Sequence, residues 1–98
     1  MPDLQSIMYV EDDPDIQVVA RMALEALGGF AVTVCSSGEE ALAAAVAEAP
    51  DLFLLDVMMP GMDGPATLAA LRREPSLADV PVIFITAKVQ TSEVEYYT

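Results

Sequence analysis

Acidic side chains stand at the ends of two short apolar runs in this sequence. Glu11 and Asp12 directly follow the run at 6–10. Asp56 directly follows the run at 52–55. If the two runs form neighbouring parallel strands, which lie about 4.8 Å apart, the three carboxylates meet at the carboxyl edge of one sheet. Carboxylates that close repel one another unless a cation neutralises them. The pattern therefore predicts a cation site.

The ligand types indicate which cation would bind and what chemistry it would support. Oxygen ligands without histidine or cysteine favour a hard ion, and a site with few carboxylates and room for a phosphate oxygen suits Mg²⁺ better than Ca²⁺. Such an ion screens an incoming phosphoryl group from the acids and leaves Asp56 free to act as a nucleophile. Thr86, at the end of a later apolar run, can donate a hydrogen bond to a phosphoryl oxygen. The structural alternative is a solvated turn with Asp13 as a helix cap, and Thr86 as an ordinary β-branched strand end.

Strands and helices alternate along the chain and position these side chains. Pro14 opens a helix that Asp13 caps and that the glycines at 28–29 end. A capping box at 37–40 precedes an alanine-rich helix that ends before Pro50. The alternation implies right-handed βαβ crossovers and a parallel sheet with helices on both faces. Strands are predicted at 6–10, 30–35, 52–55 and 80–85, and helices at 14–27, 41–49, 65–73 and from 93 onward.

Composition and charge limit the possible classes of protein. A length of 98 residues with 54% hydrophobic side chains predicts one compact domain with its own core. The formal net charge of -12, without any histidine, argues against nucleic-acid binding by this segment. Every longer apolar stretch is cut by an acid or a proline, so we expect a cytoplasmic protein without a membrane partner. A lone Cys35 excludes an internal disulfide, and the absence of histidine argues against a zinc site.

Three stretches of the sequence resemble a known family. Their sequences are Tyr-Val-Glu-Asp-Asp-Pro-Asp-Ile at 9–16, Leu-Leu-Asp-Val-Met-Met-Pro-Gly-Met-Asp-Gly at 54–64, and Pro-Val-Ile-Phe-Ile-Thr-Ala-Lys at 81–88. In this order and at this spacing they resemble a response-regulator receiver domain of two-component signalling. The resemblance implies an α/β fold of the flavodoxin-like type, a doubly wound parallel sheet with strand order 2-1-3-4. Residues 1–98 would then be a receiver domain that ends within its fourth helix, with the fifth strand and fifth helix absent.

The same resemblance implies a role for each member of the candidate site. Asp56 would be the phosphoacceptor and would also contact the metal. Asp12 would bind Mg²⁺ directly, Glu11 would bind it through water, and the backbone carbonyl of Met58 would be a further ligand. Thr86 would be the switch hydroxyl that follows the phosphoryl group.

The implied function is a phosphorylation-controlled switch. The phosphoryl donor would be a phosphohistidine on a histidine kinase or on a histidine phosphotransfer protein. Such a module assists its own phosphorylation but is not a turnover enzyme. One alternative is a pseudo-receiver that makes protein contacts without phosphorylation. Another is a hydrolase of the haloacid type that would use Asp13 and Asp15, although that class needs a larger, cap-bearing fold.

The sequence departs from the receiver pattern after its fourth strand. The lysine that ends the fifth strand of receivers is missing, and Lys88 is a candidate to approach the phosphoryl group in its place, the alternative being a solvated lysine. The run at 82–85 is typical of a strand buried on both faces. Without a fifth strand it becomes an exposed apolar edge that favours a homodimer or strand exchange. Either the chain is a fragment, or another chain supplies the remainder.

Overall fold

The computed structural model describes residues 4–85, which form one parallel sheet and three helices. The four strands are hydrogen-bonded in the order β2-β1-β3-β4, and every neighbouring pair is parallel. The predicted flavodoxin-like strand order is therefore confirmed. No helix in this range is both long enough and apolar enough to cross a membrane. The elements are β1 (Ser6–Val10), α1 (Pro14–Gly28), β2 (Ala31–Cys35), α2 (Gly38–Ala47), β3 (Leu52–Asp56), α3 (Gly64–Arg72) and β4 (Val82–Ile85).

Different helices cover the two faces of the sheet. Successive side chains of a strand point to opposite faces, and β1 shows this clearly. Met8 of β1 packs into the main core with α2 and α3, whereas Tyr9 lies beside Ile16 and Ala20 of α1. The sheet is thus sandwiched, as the alternation of strands and helices predicted. The main core, on the side of α2 and α3, includes Met8, Val10, Cys35, Ala41, Ala45, Phe53, Leu55, Met59, Leu71 and Leu77.

The boundaries of α1 follow from its flanking residues, as predicted. The Asp13 carboxylate accepts hydrogen bonds from the backbone N–H groups of Asp15 at 2.9 Å and Ile16 at 3.4 Å. Pro14 occupies the first helical position, where its missing N–H has no helical partner to lose. The helix ends where Gly29 adopts φ 68°, a left-handed conformation that glycine reaches without a steric penalty.

The start of α2 differs by one residue from the predicted capping box. The Ser37 hydroxyl accepts a hydrogen bond from the Glu40 N–H at 3.1 Å, as the pattern requires. The Glu40 carboxylate, however, accepts from the Ser36 N–H at 2.9 Å rather than from that of Ser37. The helix ends at Ala47, two residues before the predicted end.

β4 corrects two predictions. It begins at Val82 rather than at 80, because Val80 belongs to the preceding turns: its N–H donates to the Leu77 carbonyl and its own carbonyl accepts from Arg72. The expected burial on both faces is wrong, since Ile83 is 50% exposed and Phe84 is 41% exposed. Within residues 4–85 this strand has β3 as its neighbour on one side only, which leaves it at the edge of the sheet.

Cys35 is a buried core thiol, as predicted, and its pKa suggests a test of the packing at the end of β2. Burial, reinforced by the Glu40 carboxylate, raises the pKa of the thiol to about 11. At about pH 8 we expect the folded chain to react with iodoacetamide roughly a hundredfold more slowly than the urea-unfolded chain, because little thiolate is present. Because the pKa of the thiol is higher in the folded chain than in the unfolded chain, deprotonation favours unfolding. The free energy of unfolding is therefore unaffected by this thiol below its unfolded pKa and falls as the pH rises from there toward about 11. Equal reaction rates in the two states would contradict this account.

Candidate functional site

The register of β1 and β3 brings the ends of these strands to the same level of the sheet. Val10 of β1 pairs with Leu55 of β3. The next residue after each of them, Glu11 and Asp56, therefore lies beside the other at the carboxyl edge of the sheet. Ligands of open α/β sheets bind at this edge, outside the ends of adjacent strands whose connections leave on opposite faces. The sheet itself therefore positions the two acids.

The three predicted acids form one cluster. Glu11, Asp12 and Asp56 each offer a carboxylate oxygen, and these oxygens all lie within 4.8 Å of one another. The side chains of Glu11 and Asp56 are fully buried, and Asp12 is half-buried. Three carboxylates this close, two of them shielded from water, concentrate negative charge in a small volume. Charge of this kind is stabilised by a cation.

Hydrogen bonds on both sides hold the turn that carries Glu11 and Asp12. The Glu11 N–H donates to the Cys35 carbonyl at 3.0 Å, which extends the pairing of β1 and β2 by one residue. One oxygen of the Glu11 carboxylate accepts from the Asp13 N–H at 3.1 Å. The side-chain amide of Gln17 donates to the Glu11 carbonyl. These bonds fix the backbone from which the two acids project.

The loop after β3 is fixed in a similar way. The Asp56 carboxylate accepts from the Met58 N–H at 3.2 Å, and the Val57 N–H donates to the Ile85 carbonyl at 3.1 Å. The Gly64 N–H closes the loop by donating to the Val57 carbonyl at 3.1 Å. The first turn of α3 therefore lies close to the backbone that carries Asp56.

An open cleft lies beside the acidic cluster. Its volume is about 520 Å³, and Asp12 forms part of its wall. Most of the other walls are apolar and come from the loop after β3 and from the start of α3. Of the three clustered acids, Asp12 is the one that lines this cleft, while Glu11 and Asp56 are buried behind it. The lining residues are Asp12, Val57, Met58, Met59, Pro60, Asp63 and Pro65.

The donor set fits Mg²⁺. All three side chains offer oxygen, the ligand type that this hard ion prefers, and neither histidine nor cysteine lies in the cluster. Mg²⁺ is held through a few carboxylates and retains several waters, so a cluster of three carboxylates with Asp12 in the wall of an open cleft suits it better than an enclosed cage of oxygens does. Glu11, Asp12 and Asp56 are the side chains that would hold the ion.

The structure brings together some of the predicted site residues and leaves others outside its described range. Glu11, Asp12 and Asp56 converge as predicted. Met58 flanks them, with its N–H on the Asp56 carboxylate, and the metal role of its carbonyl stays a prediction. Thr86 and Lys88 lie outside the described residues.

Sequence reasoning missed Gln17, whose side chain supports the Glu11 backbone. The sequence offered only a polar residue near the start of α1 as a signal, and such a residue does not distinguish a tertiary hydrogen bond from a solvated side chain.

Comparisons with known proteins identify the family. A family model described as the response regulator receiver domain matches residues 7–97. The chain is 39% identical over 94 residues to the transcriptional regulatory protein CseB of Streptomyces coelicolor, covering 96% of this chain and 38% of CseB. It is 46% identical over 84 residues to the transcriptional activator protein PfeR of Pseudomonas aeruginosa, covering 83% of this chain and 25% of PfeR. The chain thus spans well under half the length of these curated relatives.

Solved structures agree in fold and in sequence. The N-terminal domain of a response regulator receiver protein from Methanoculleus marisnigri matches with a TM-score of 0.77 and 38% identity, over 97% of this chain and 77% of that one. The receiver domain of the sensor histidine kinase PA1611 from Pseudomonas aeruginosa, solved with a magnesium ion in its active-site cleft, matches with a TM-score of 0.80 and 31% identity, over 95% and 75% of the two chains. With its strand order, its acidic edge and these matches, the chain belongs to the response regulator receiver domain family.

Proposed function

We propose that this chain is a Mg²⁺-dependent phosphoacceptor that takes a phosphoryl group from a phosphohistidine onto Asp56. The observation that supports this most directly is the convergence of Glu11, Asp12 and Asp56, whose ligand oxygens lie within 4.8 Å at the ends of two adjacent parallel strands. A bound Mg²⁺ supplies positive charge that neutralises the acids and the incoming phosphoryl oxygens. The receiver of PA1611, with a magnesium ion in its cleft, supports the same assignment by similarity.

The chain's own groups prepare Asp56 for attack. Its carboxylate is buried, and the Met58 N–H fixes the orientation of one oxygen, so little reorganisation is needed when the donor arrives. In the proposed step a carboxylate oxygen of Asp56 forms a bond to phosphorus while the P–N bond of the phosphohistidine breaks. The imidazole nitrogen keeps the electron pair of the broken bond and takes up a proton. Thr86 is proposed to donate a hydrogen bond to a phosphoryl oxygen, and Lys88 is a weaker candidate for contact with the same group.

The partner and the output follow from the same proposal. The donor is a histidine kinase or a histidine phosphotransfer protein, since a chain without histidine cannot supply the phosphohistidine itself. The relatives CseB and PfeR are a transcriptional regulatory protein and a transcriptional activator, so the phosphorylated state is proposed to control an output of this kind. Phosphorylation would act by shifting the population between two surface states.

Intact mass after incubation with acetyl phosphate tests the proposal. We expect an adduct of one phosphoryl group on the wild-type chain with Mg²⁺, and none when Mg²⁺ is removed by chelation. Asp56→Asn keeps the size and one oxygen of the side chain but should give no adduct. Asp13→Asn is the matched control, because asparagine caps a helix as well as aspartate does and the adduct should remain.

Each of the other outcomes points elsewhere. An adduct that persists on Asp56→Asn would place the acceptor on a different residue. A folded wild-type chain without any adduct would favour the phosphorylation-independent interaction module. Loss of the adduct on Asp13→Asn alone would favour the hydrolase-like use of Asp13.

A further inference from the structure

Gln17 links three parts of the molecule near the acidic cluster. It lies one turn into α1, where its backbone N–H donates to the Asp13 carbonyl at 3.0 Å. Its side-chain amide nitrogen donates to the Glu11 carbonyl and to the Ser36 hydroxyl, the latter at 3.1 Å. One half-buried side chain thus joins the turn after β1, the helix that follows it, and the turn after β2.

The bond to the Glu11 carbonyl acts on the peptide group between two of the acids. That carbonyl belongs to the peptide that joins Glu11 to Asp12, so its orientation decides in which direction Asp12 leaves the strand. The peptide is flanked by the Glu11 N–H, which is paired with the Cys35 carbonyl, and by the Asp13 N–H, which donates to the Glu11 carboxylate. The bond from Gln17 restrains the carbonyl that lies between these two fixed points.

The far end of the Gln17 contact is itself supported. The Ser36 N–H donates to the Glu40 carboxylate at 2.9 Å, and the Ser37 hydroxyl caps the Glu40 N–H at 3.1 Å. The first turn of α2 therefore holds Ser36, which accepts one hydrogen bond from the Gln17 amide. Because the Gln17 amide donates to both the Ser36 hydroxyl and the Glu11 carbonyl, the side chain has little freedom to turn away from that carbonyl.

We infer that Gln17 is a positioning residue for the cation site, which holds the peptide between Glu11 and Asp12 in the orientation that Mg²⁺ binding requires. The inference rests on the proposed function, since it concerns the Mg²⁺ affinity of the same three carboxylates. Groups that orient metal ligands without touching the metal change affinity by about 10- to 100-fold when they are replaced. The Gln17 amide stands in this relation to both Glu11 and Asp12.

The test is the Mg²⁺ dissociation constant, measured by calorimetric titration of MgCl₂ into the purified protein. Gln17→Met preserves the length and volume of the side chain but removes both donors, and we expect binding about tenfold weaker. Gln17→Asn keeps an amide that is too short to reach the Glu11 carbonyl, and it should weaken binding to a similar extent. Met22→Gln, at a position of the same helix that is 64% exposed, is the matched control and should bind like the wild type.

Urea unfolding in a chelating buffer separates positioning from stability. A merely structural Gln17 would lower the unfolding midpoint of both variants and leave their Mg²⁺ dissociation constants unchanged, which would overturn the inference while the proposed function stands. Weaker binding by the Gln17 variants, with wild-type binding by Met22→Gln, supports the inference. A wild-type chain that binds no Mg²⁺ would overturn both the inference and the proposed function.

Discussion

In buffer without divalent cations, the Asp56→Asn variant is expected to unfold at a higher urea concentration than the wild-type chain. Asp56 is fully buried, and the ligand oxygens of the acidic cluster lie within 4.8 Å of one another. Two unit charges at that distance repel by about 3 kcal/mol at an effective dielectric constant of about 20. Removal of one charge should therefore raise the free energy of unfolding by roughly 1–3 kcal/mol.

The asparagine at position 56 can keep one hydrogen bond of the aspartate that it replaces. Its amide oxygen can still accept the hydrogen bond that the Met58 N–H donates to the carboxylate at 3.2 Å. Its amide nitrogen places a hydrogen-bond donor beside the Glu11 and Asp12 carboxylates, where the wild-type chain has a third carboxylate that repels them. We therefore expect the gain to come from relief of repulsion within the acidic cluster, as at sites where stability and function oppose each other.

The control for this prediction is an acid outside the cluster. Asp79→Asn removes the same unit of charge from an exposed residue in the turns before β4, and its effect should stay within about 0.5 kcal/mol of zero. Saturating Mg²⁺ should then stabilise the wild type and Asp79→Asn more than Asp56→Asn. An Asp56→Asn variant that is less stable than the wild type in chelator would show that the contacts of the carboxylate outweigh the repulsion within the cluster.

Gly64→Ala is expected to destabilise the chain by about 2–4 kcal/mol, although alanine is normally the better helix former by about 1 kcal/mol. A Cβ atom at position 64 would lie 2.7 Å from the Asp56 carbonyl oxygen and 2.9 Å from the Val57 Cα. Both of these atoms belong to the backbone, so neither can move aside as the end of a flexible side chain can. The same Cβ would lie 3.1 Å from the ring of Phe84, which leaves little room for a compensating shift.

Gly61→Ala provides the contrast, because the two glycines are required for different reasons. Gly61 has φ 74°, and a Cβ there would meet no heavy atom within 4 Å. Its replacement should therefore be unfavourable by about 1–2 kcal/mol, from the backbone conformation alone. Gly64→Ala should also reduce phosphorylation, since the displaced backbone carries Asp56. Equal stability losses in the two variants would contradict the steric explanation.

The features that the sequence predicted correctly are those that depend on neighbouring residues or on strand polarity. Asp13, Pro14 and Gly29 act within one turn of the ends of α1, so the pattern of cap, proline and glycine was sufficient to place that helix. The meeting of Glu11 with Asp56 needed only two parallel neighbouring strands, since their carboxyl ends then share an edge.

The features that the sequence did not predict depend on which of several possible partners a group bonds, or on how the elements pack. The Glu40 carboxylate accepts from the Ser36 N–H rather than from that of Ser37. Val80 belongs to a turn rather than to β4, and Arg72, eight residues earlier, stabilises that turn by donating to the Val80 carbonyl. Ile83 has the side chain of a buried strand residue, but its exposure depends on what packs against β4 at the edge of the sheet. The bond from Gln17 to Glu11 likewise exists only once α1 has folded back on the sheet.

Because Val10 pairs with Leu55, the number of residues in β3 determines where the Asp56 carboxylate lies relative to Glu11. One residue added to or removed from β3 before Asp56 would move that carboxylate by about 3.3 Å and turn it to the opposite face of the sheet. The turns at 29–30 and 48–51, which lead into β2 and β3 at the opposite end of the sheet, carry no such constraint, because they can change in length and still return the chain to the start of the next strand. Descendants of this sequence can therefore gain or lose residues in those turns and keep the acidic cluster, whereas a single-residue change in the length of β3 would break it up.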